Sequence, residues 1–314
     1  MQDDKIAVGI SSCLLGEKVR FDGGHKNNVY IRDVLGKYFD FRPFCPEVSI
    51  GLGIPREAVR LVVAEDGLRC VGTRTPGLDV TNALSRCAEA QTGWQKQLCG
   101  YILKKDSPSC GMERVKLYRN GVPERNATGI YAGVLMQHFP HLPVEEEGRL
   151  QDAVLCENFV QRVFVYARFR QLLSEDIGWH ALTRFHARHK YLLYSHNQNL
   201  ARSLGGALSH QEESVSEFAQ LYLAELMRIL RIPATRKNHV NVLQHIQGYL
   251  KKRLDGEYRR QLGHAIEQYR LGLIPLIVPL TLLRHHFQKH PDNYIADSYY
   301  LQPYPDELKL LNRL

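Results

Sequence analysis

The stretch Lys104-Lys105-Asp106-Ser107-Pro108-Ser109-Cys110-Gly111 follows a short apolar run, Tyr101-Ile102-Leu103. Apolar residues giving way to lysines, serines, a proline and a glycine mark a buried strand that ends in a loop, with a thiol held in the turn. Two other cysteines sit the same way. Cys13 follows Ile6-Ala7-Val8-Gly9-Ile10-Ser11-Ser12, and Cys45 follows Phe39-Asp40-Phe41-Arg42-Pro43-Phe44. Between these runs, residues 30–38 read as a short helix and 79–98 as a longer one, with Asp79 or Thr81 as its cap. Strands alternating with helices imply an α/β layer fold with a largely parallel sheet. Ligands of such sheets bind beyond the carboxyl ends of the strands. All three thiols fall there.

Outward from this frame the pattern changes. Residues 59–64 and 68–72 alternate around Asp66-Gly67, a hairpin signal. Tyr118 to Pro123 reads as a turn, and Asn126 to Phe139 as a glycine-led helix. Pro140-His141-Leu142-Pro143 breaks it. Val144 to Leu173 then reads as one long amphipathic helix, with Glu145-Glu146-Glu147 placed to complement its dipole. No strand pattern follows. Residues 180–204, 211–231, 236–254, 256–271 and 275–290 carry helical periods, with an extended tail at Tyr299 to Pro305. The expected organisation is an α/β domain over residues 1–150 and an all-α domain over 151–314.

A chain of 314 residues with 44% hydrophobic content suits two globular domains of ordinary size. No uncharged apolar run approaches the roughly 18 residues of a membrane span, and Met1-Gln2-Asp3-Asp4-Lys5 lacks the order of a signal peptide. A cytoplasmic protein is expected. The seven cysteines are odd in number and widely spread, so they are not a disulfide framework. Cys70, Cys87, Cys99 and Cys156 fall in strand or helix patterns and read as core. Residues 1–150 carry 20 Lys and Arg against 18 Asp and Glu, and residues 151–314 carry 21 against 15, so +6 of the +8 net charge lies in the second part. Such an excess suits a polyanion such as RNA, or a solvated basic surface.

Three separate cysteines with no fourth nearby admit three readings: zinc with an open position, an iron–sulfur cluster with one iron free of protein, or three buried thiols. Zinc sites usually bring C-x₂-C pairs, and none is present. Glu47, two residues past Cys45, suits general acid–base work in a partly dehydrated pocket; the plain alternative is a surface carboxylate or a salt bridge to Arg56. Ser107 and Ser109 can donate to substrate or to sulfur, or cap the turn at Gly111. In the second part His186 and His189 lie three apart on one helical face, with His196 beyond. Without a carboxylate companion they read better as a polar face or phosphate contact than as a metal site. Arg236-Lys237, Lys251-Lys252-Arg253 and Arg259-Arg260 are candidate phosphate contacts.

Taken together, Ser12-Cys13-Leu14-Leu15-Gly16, Arg20-Phe21-Asp22-Gly23-Gly24-His25-Lys26, Cys45-Pro46-Glu47-Val48, Gly51-Leu52-Gly53-Ile54-Pro55-Arg56 and Ser107-Pro108-Ser109-Cys110-Gly111 resemble the thiouracil desulfidase family over about residues 5–145. The second part, with Phe185-His186-Ala187-Arg188-His189-Lys190 and Pro303-Tyr304-Pro305-Asp306-Glu307-Leu308, is similar to a helical domain often joined to it. The resemblance implies a [4Fe-4S] cluster held by Cys13, Cys45 and Cys110, with one iron not bound by protein. It places the catalytic carboxylate on Glu47 and the catalytic serine on Ser107. The implied reaction is non-redox removal of sulfur from 4-thiouridine in tRNA. Free thiouracil as substrate, or a non-catalytic RNA-binding protein, are the alternatives. The helical domain is implied to bind RNA.

Overall fold

The computed structural model describes residues 5–75, 77–175, 177–209, 214–308 and 310–312. The charged opening residues 1–4 and the expected helix start at 211–213 lie outside them. The chain divides into two compact units, Met1–Asp152 and Ala153–Leu314.

In chain order the first unit contains β1 (Ile6–Ser11), turns at Tyr30–Val34 and Leu35–Lys37, β2 (Phe39–Phe44), α1 (Pro46–Ser49), β3 (Val59–Ala64), β4 (Gly67–Gly72), α2 (Thr81–Ala90), α3 (Thr92–Gln95), β5 (Gly100–Leu103), β6 (Val115–Arg119), β7 (Val122–Ala127), α4 (Ile130–His138) and β8 (Val144–Glu146). The α/β reading holds. One sheet, ordered β2-β1-β5-β8, is parallel throughout. Its strands carry Val8, Ile10, Tyr101, Ile102 and Leu103, all essentially inaccessible, as expected of strands covered on both faces.

A second sheet, β4-β3-β6-β7, was only half visible in the sequence. The β3–β4 hairpin forms as its alternation and Asp66-Gly67 require. The stretch around Tyr118 is more than a turn: β6 and β7 form a second hairpin, bent at Asn120-Gly121 with both residues at positive φ. β6 then pairs in parallel with β3. This sheet packs Leu61, Cys70, Val115 and Leu117 against Val80 and Leu84 beside α2.

The expected short helix over residues 30–38 is irregular, a π turn over Tyr30–Val34 followed by a 3₁₀ turn over Leu35–Lys37. The pattern over 79–98 breaks at Gln91, and its N-cap is Val80 rather than Asp79 or Thr81; Asp79, just before it, accepts the Thr81 N–H through Oδ1 at 2.8 Å. The larger correction concerns Glu145-Glu146-Glu147. They do not open a helix. Val144–Glu146 is the edge strand β8, and the helix starts at Ala153. Each acid finds its own partner: Glu145 pairs with Arg149, Glu146 accepts from the Met112 N–H, and Glu147 pairs with Lys104. Charges satisfied by tertiary partners need no helix dipole.

The second unit is helical, as expected: α5 (Ala153–Ser174), α6 (Trp179–His196), α7 (Gln198–Ala207), α8 (Val215–Leu230), α9 (Arg236–Tyr249), α10 (Gly256–Arg270), α11 (Ile277–Lys289) and α12 (Asn293–Ala296). Asn197 splits the expected 180–204 helix, its Oδ1 capping the Leu200 N–H. Phe169, Phe185 and Tyr222 meet where α5, α6 and α8 pack, Phe169 stacked on Tyr222 with ring centroids 5.7 Å apart and Phe185 edge-on to both. Among the described residues no helix is long and apolar enough to cross a membrane.

Candidate active site

Three strand ends build the site. β1 lies between β2 and β5, and the chain runs to β2 on one side before returning on the other as β5. That reversal opens a crevice beyond the carboxyl ends. Cys13 lies in a tight turn just past β1, Cys45 directly follows β2, and Cys110 ends the loop after β5. All three line one cavity of about 370 Å³, together with Glu47, Ser107 and Ser109. The six residues singled out in the sequence thus meet in one place.

The loop that carries Cys110 is held by α4. The carbonyls of Pro108, Ser109 and Gly111 accept the N–H groups of Ile130, Ala132 and Gly129 at 2.8–3.1 Å, satisfying donors that a helix start leaves open. The fit is close. A Cβ on Gly129 would stand 2.6 Å from the Ser109 carbonyl, so only glycine lets the helix approach this loop. At the other end Ser11 Oγ accepts the Lys104 N–H at 3.0 Å, tying the close of β1 to the close of β5.

Glu47 stands in α1 with its two oxygens held differently. Oε2 accepts from Arg56 Nε at 2.9 Å and Nη2 at 2.7 Å; Oε1 accepts from Ser109 Oγ at 2.5 Å. Both charged side chains are largely buried, Glu47 at 14% and Arg56 at 5% exposed. The salt bridge set against a catalytic role is therefore present, yet it occupies one oxygen only. Ser107 Oγ lies 3.0 Å from Ser109 Oγ and accepts the Cys110 N–H at 3.1 Å. With the Ser109 proton committed to Glu47, Ser107 donates to Ser109. The chain Ser107–Ser109–Glu47 results. Ser107 thus stands one bond farther from the carboxylate than Ser109, which the sequence left beside it without a rank.

Burial pushes the Cys13 thiol up to about 11, against the opposing charge of Lys104. Burial likewise raises Cys45 and Cys110. Such thiols keep their protons until a cation takes their place. Among the described residues no three or more His, Cys, Asp or Glu gather closely enough for a single ion. A cluster makes a different demand, because its ligand sulfurs bind different irons and stand farther apart than ligands of one ion. Three soft donors around one cavity, with Ser109 Oγ 3.6 Å from the Cys110 sulfur, fit that demand. The remaining cysteines do not line this cavity: Cys70 and Cys156 are buried, and Cys87 and Cys99 are partly so, Cys99 just before β5 rather than in a helix.

The cavity is rich in cations. Arg20, Lys26 and Lys105 line it beside Arg56 and Lys104. Arg56 and Lys104 are paired with Glu47 and Glu147, and Arg20 stands 3.5 Å from Asp22. Lys26 and Lys105 have no ion pair among the described residues. Arg20 and Lys26 bound the glycine-bearing stretch of residues 20–26, and Lys104 and Lys105 open the stretch that ends at Gly111, but the order of residues does not tell which side chains face inward.

The histidines of α6 are not a surface. His186, His189 and His196 are buried, and each ring is bonded internally: to Tyr222 Oη, to the Phe185 carbonyl, and to the Ile232 carbonyl and Gln161. The phosphate-contact reading of them fails because α6 faces them inward. Of the basic runs, Arg236 binds the Tyr269 carbonyl and Arg253 stands 3.6 Å from Asp292. Lys237, Lys251, Lys252 and Arg260 are exposed.

The family described as 2-thiouracil desulfurase matches residues 8–147, and a family described as a protein of unknown function (DUF1722) matches residues 190–305. An uncharacterized protein of Escherichia coli (strain K12), YbgA, is 30% identical over 151 residues, which cover 48% of this chain and 89% of that protein. Another, YbbK of Bacillus subtilis (strain 168), is 32% identical over 108 residues, covering 32% and 71%. The solved structure of a [4Fe-4S]-dependent thiouracil desulfidase, TudS, is 32% identical and covers 47% of this chain and 95% of that one, with a TM-score of 0.39.

Proposed function

Since the chain belongs to the 2-thiouracil desulfurase family through residues 8–147, we propose that it removes sulfur from 4-thiouridine in tRNA, leaving uridine and sulfide. The observation that carries this is the meeting of Cys13, Cys45 and Cys110 with Glu47 in one cavity. The three thiolates would hold a [4Fe-4S] cluster, leaving one iron without a protein ligand. When bound, such a cluster supplies a Lewis-acidic iron with an open position for sulfur.

The protein's own groups do the rest. Oxygen from water replaces sulfur at the pyrimidine carbon, and no oxidation state changes. The attacking water must lose a proton, and the departing sulfur must be taken up. Glu47 Oε1 is the group to move that proton, within reach of the cavity and linked to Ser109. Arg56 fixes the carboxylate by gripping Oε2, so Oε1 keeps its aim. Ser107 and Ser109 relay protons along their hydroxyl chain. Lys26 and Lys105 favour an anionic substrate, and Lys237, Lys251, Lys252 and Arg260 on the helical unit suit a phosphate backbone. Free thiols and an oxygen-sensitive centre suit the cytoplasm.

The test is turnover by oxygen-free, iron-loaded protein on 4-thiouridine-containing tRNA and on free 4-thiouracil. Faster desulfuration of the tRNA supports the reading. Equal or faster rates on the free base remove tRNA from it, and no desulfuration of either removes the reading.

A further inference from the structure

Phe21 is a large apolar side chain left 41% exposed, and it lines the cavity that holds Glu47. A lone exposed apolar residue is ordinary on a protein surface. This one is held in place from both sides. The Arg20 carbonyl accepts the Gly23 N–H at 2.9 Å, and the Arg20 N–H donates to the Gly24 carbonyl at 3.2 Å, closing a tight loop around Phe21. Gly23 turns that loop at φ +73°, a conformation glycine adopts without strain. The Phe21 carbonyl accepts the Arg56 N–H at 2.9 Å. Arg56 is also the residue whose guanidinium grips Glu47. One residue therefore holds both the backbone that carries the ring and the proton-moving carboxylate. The Arg20 guanidinium carbon stands 5.3 Å from the ring centroid, which adds a planar cation beside the aromatic face.

The cavity wall that carries Phe21 mixes apolar residues (Val19, Phe44, Val59 and Pro108) with the cations, and such a mixed wall suits a flat, partly apolar ligand. We propose that Phe21 is the platform on which the pyrimidine base of the substrate stacks, so that the ring selects the base and sets its plane against Glu47. This rests on the desulfidase reading and adds to it the group that recognises the base. A cavity of about 370 Å³ that must also hold the cluster has room left for one heterocyclic ring rather than for an extended oligonucleotide. The rest of an RNA would lie outside. Stacking is tolerant of ring substituents, so the platform accepts thiolated and oxygenated bases alike; discrimination for sulfur belongs to the thiol-lined end.

The test uses full-length protein with Phe21→Ala, Phe21→Leu and Phe21→Tyr, iron-loaded without oxygen. Two quantities are read: equilibrium binding of uridine 5′-monophosphate, which needs no turnover, and KM and kcat on a 4-thiouridine substrate. The expected result is binding weakened about ten-fold or more in Phe21→Ala and Phe21→Leu, KM raised in step with less change in kcat, and wild-type values in Phe21→Tyr. Iron content should match wild type in all three. Wild-type binding by Phe21→Leu would overturn the platform, because bulk without a π face would suffice. Unchanged binding in Phe21→Ala, no measurable binding by wild type, or iron lost from all three variants would each overturn it too. Active wild type with indifferent Phe21 variants sinks the platform alone. Inactive, iron-loaded wild type sinks the desulfidase reading, and nucleotide binding still decides the platform.

Discussion

Glu47 divides its oxygens between a guanidinium and a hydroxyl, and that division sets what substitutions there should do. Glu47→Gln keeps the shape and leaves the three thiols in place. Iron content should be unchanged while turnover falls about 10²–10⁴-fold, the usual worth of a positioned proton carrier. Retained turnover would remove the role. Ser109→Ala strips the hydrogen bond from Oε1, a bond to a charged acceptor worth roughly 1.5–3 kcal/mol. Turnover should fall at least about ten-fold by the same arithmetic. Ser107→Ala, one bond more distant, should cost less, and the reverse order in side-by-side rates would show that Ser107 acts directly on substrate. At this scale the sequence was legible where a residue type has few uses. Cysteines in Gly, Pro and Ser loops, and a carboxylate two residues from one of them, stand out. Which of two serines two positions apart touches the carboxylate depends on how the loop curls, and Ser107-Pro108-Ser109 does not encode that without α4 beside it.

α4 and the loop it holds make the next test. Gly129→Ala places a methyl group against the Ser109 carbonyl, 2.6 Å away before anything moves. The helix must retreat, and Cys110 with it. Iron loading should drop while helical signal persists; full loading would mean that the loop holds its shape unaided. α6 carries a pH signature. Burial lowers His186 and His196 to about 4 and His189 well below its ordinary value. The unfolded chain therefore binds more protons between about pH 6.5 and 4, so stability is full above that window and lost as pH falls through it. For His186 and His196 the fall from 6.5 to about 4 is worth roughly 3 kcal/mol apiece at the acid end of the window. Unfolding temperature should fall from pH 7 to 5, and His196→Gln should flatten the fall; a pH-independent midpoint would contradict it. Elements with strong periodicity, such as β1, β5 and the β3–β4 hairpin, could be read from the chain. β8 could not, because three consecutive glutamates look like helix-opening acids until Arg149, Met112 and Lys104 are seen to claim them.

For the whole molecule, the division between an α/β part and a helical part showed in where strand patterns stop, while the β6–β7 half of the second sheet stayed hidden because β7, with Pro123-Glu124-Arg125-Asn126, lacks alternation. If phosphate contacts dominate recognition, affinity for tRNA should fall steeply and linearly on a logarithmic salt scale. A flat response would detach the basic helical surface from RNA. The central claim is that Cys13, Cys45 and Cys110 share one inorganic centre, and iron and acid-labile sulfide analysis of oxygen-free full-length protein, with Cys→Ala at each position, tests it most directly. Wild type should contain iron and sulfide in equal amounts, and each of the three substitutions should abolish both while Cys70→Ala and Cys156→Ala retain them. Wild-type protein without iron after reconstitution, or full loading in any of the three variants, would contradict it.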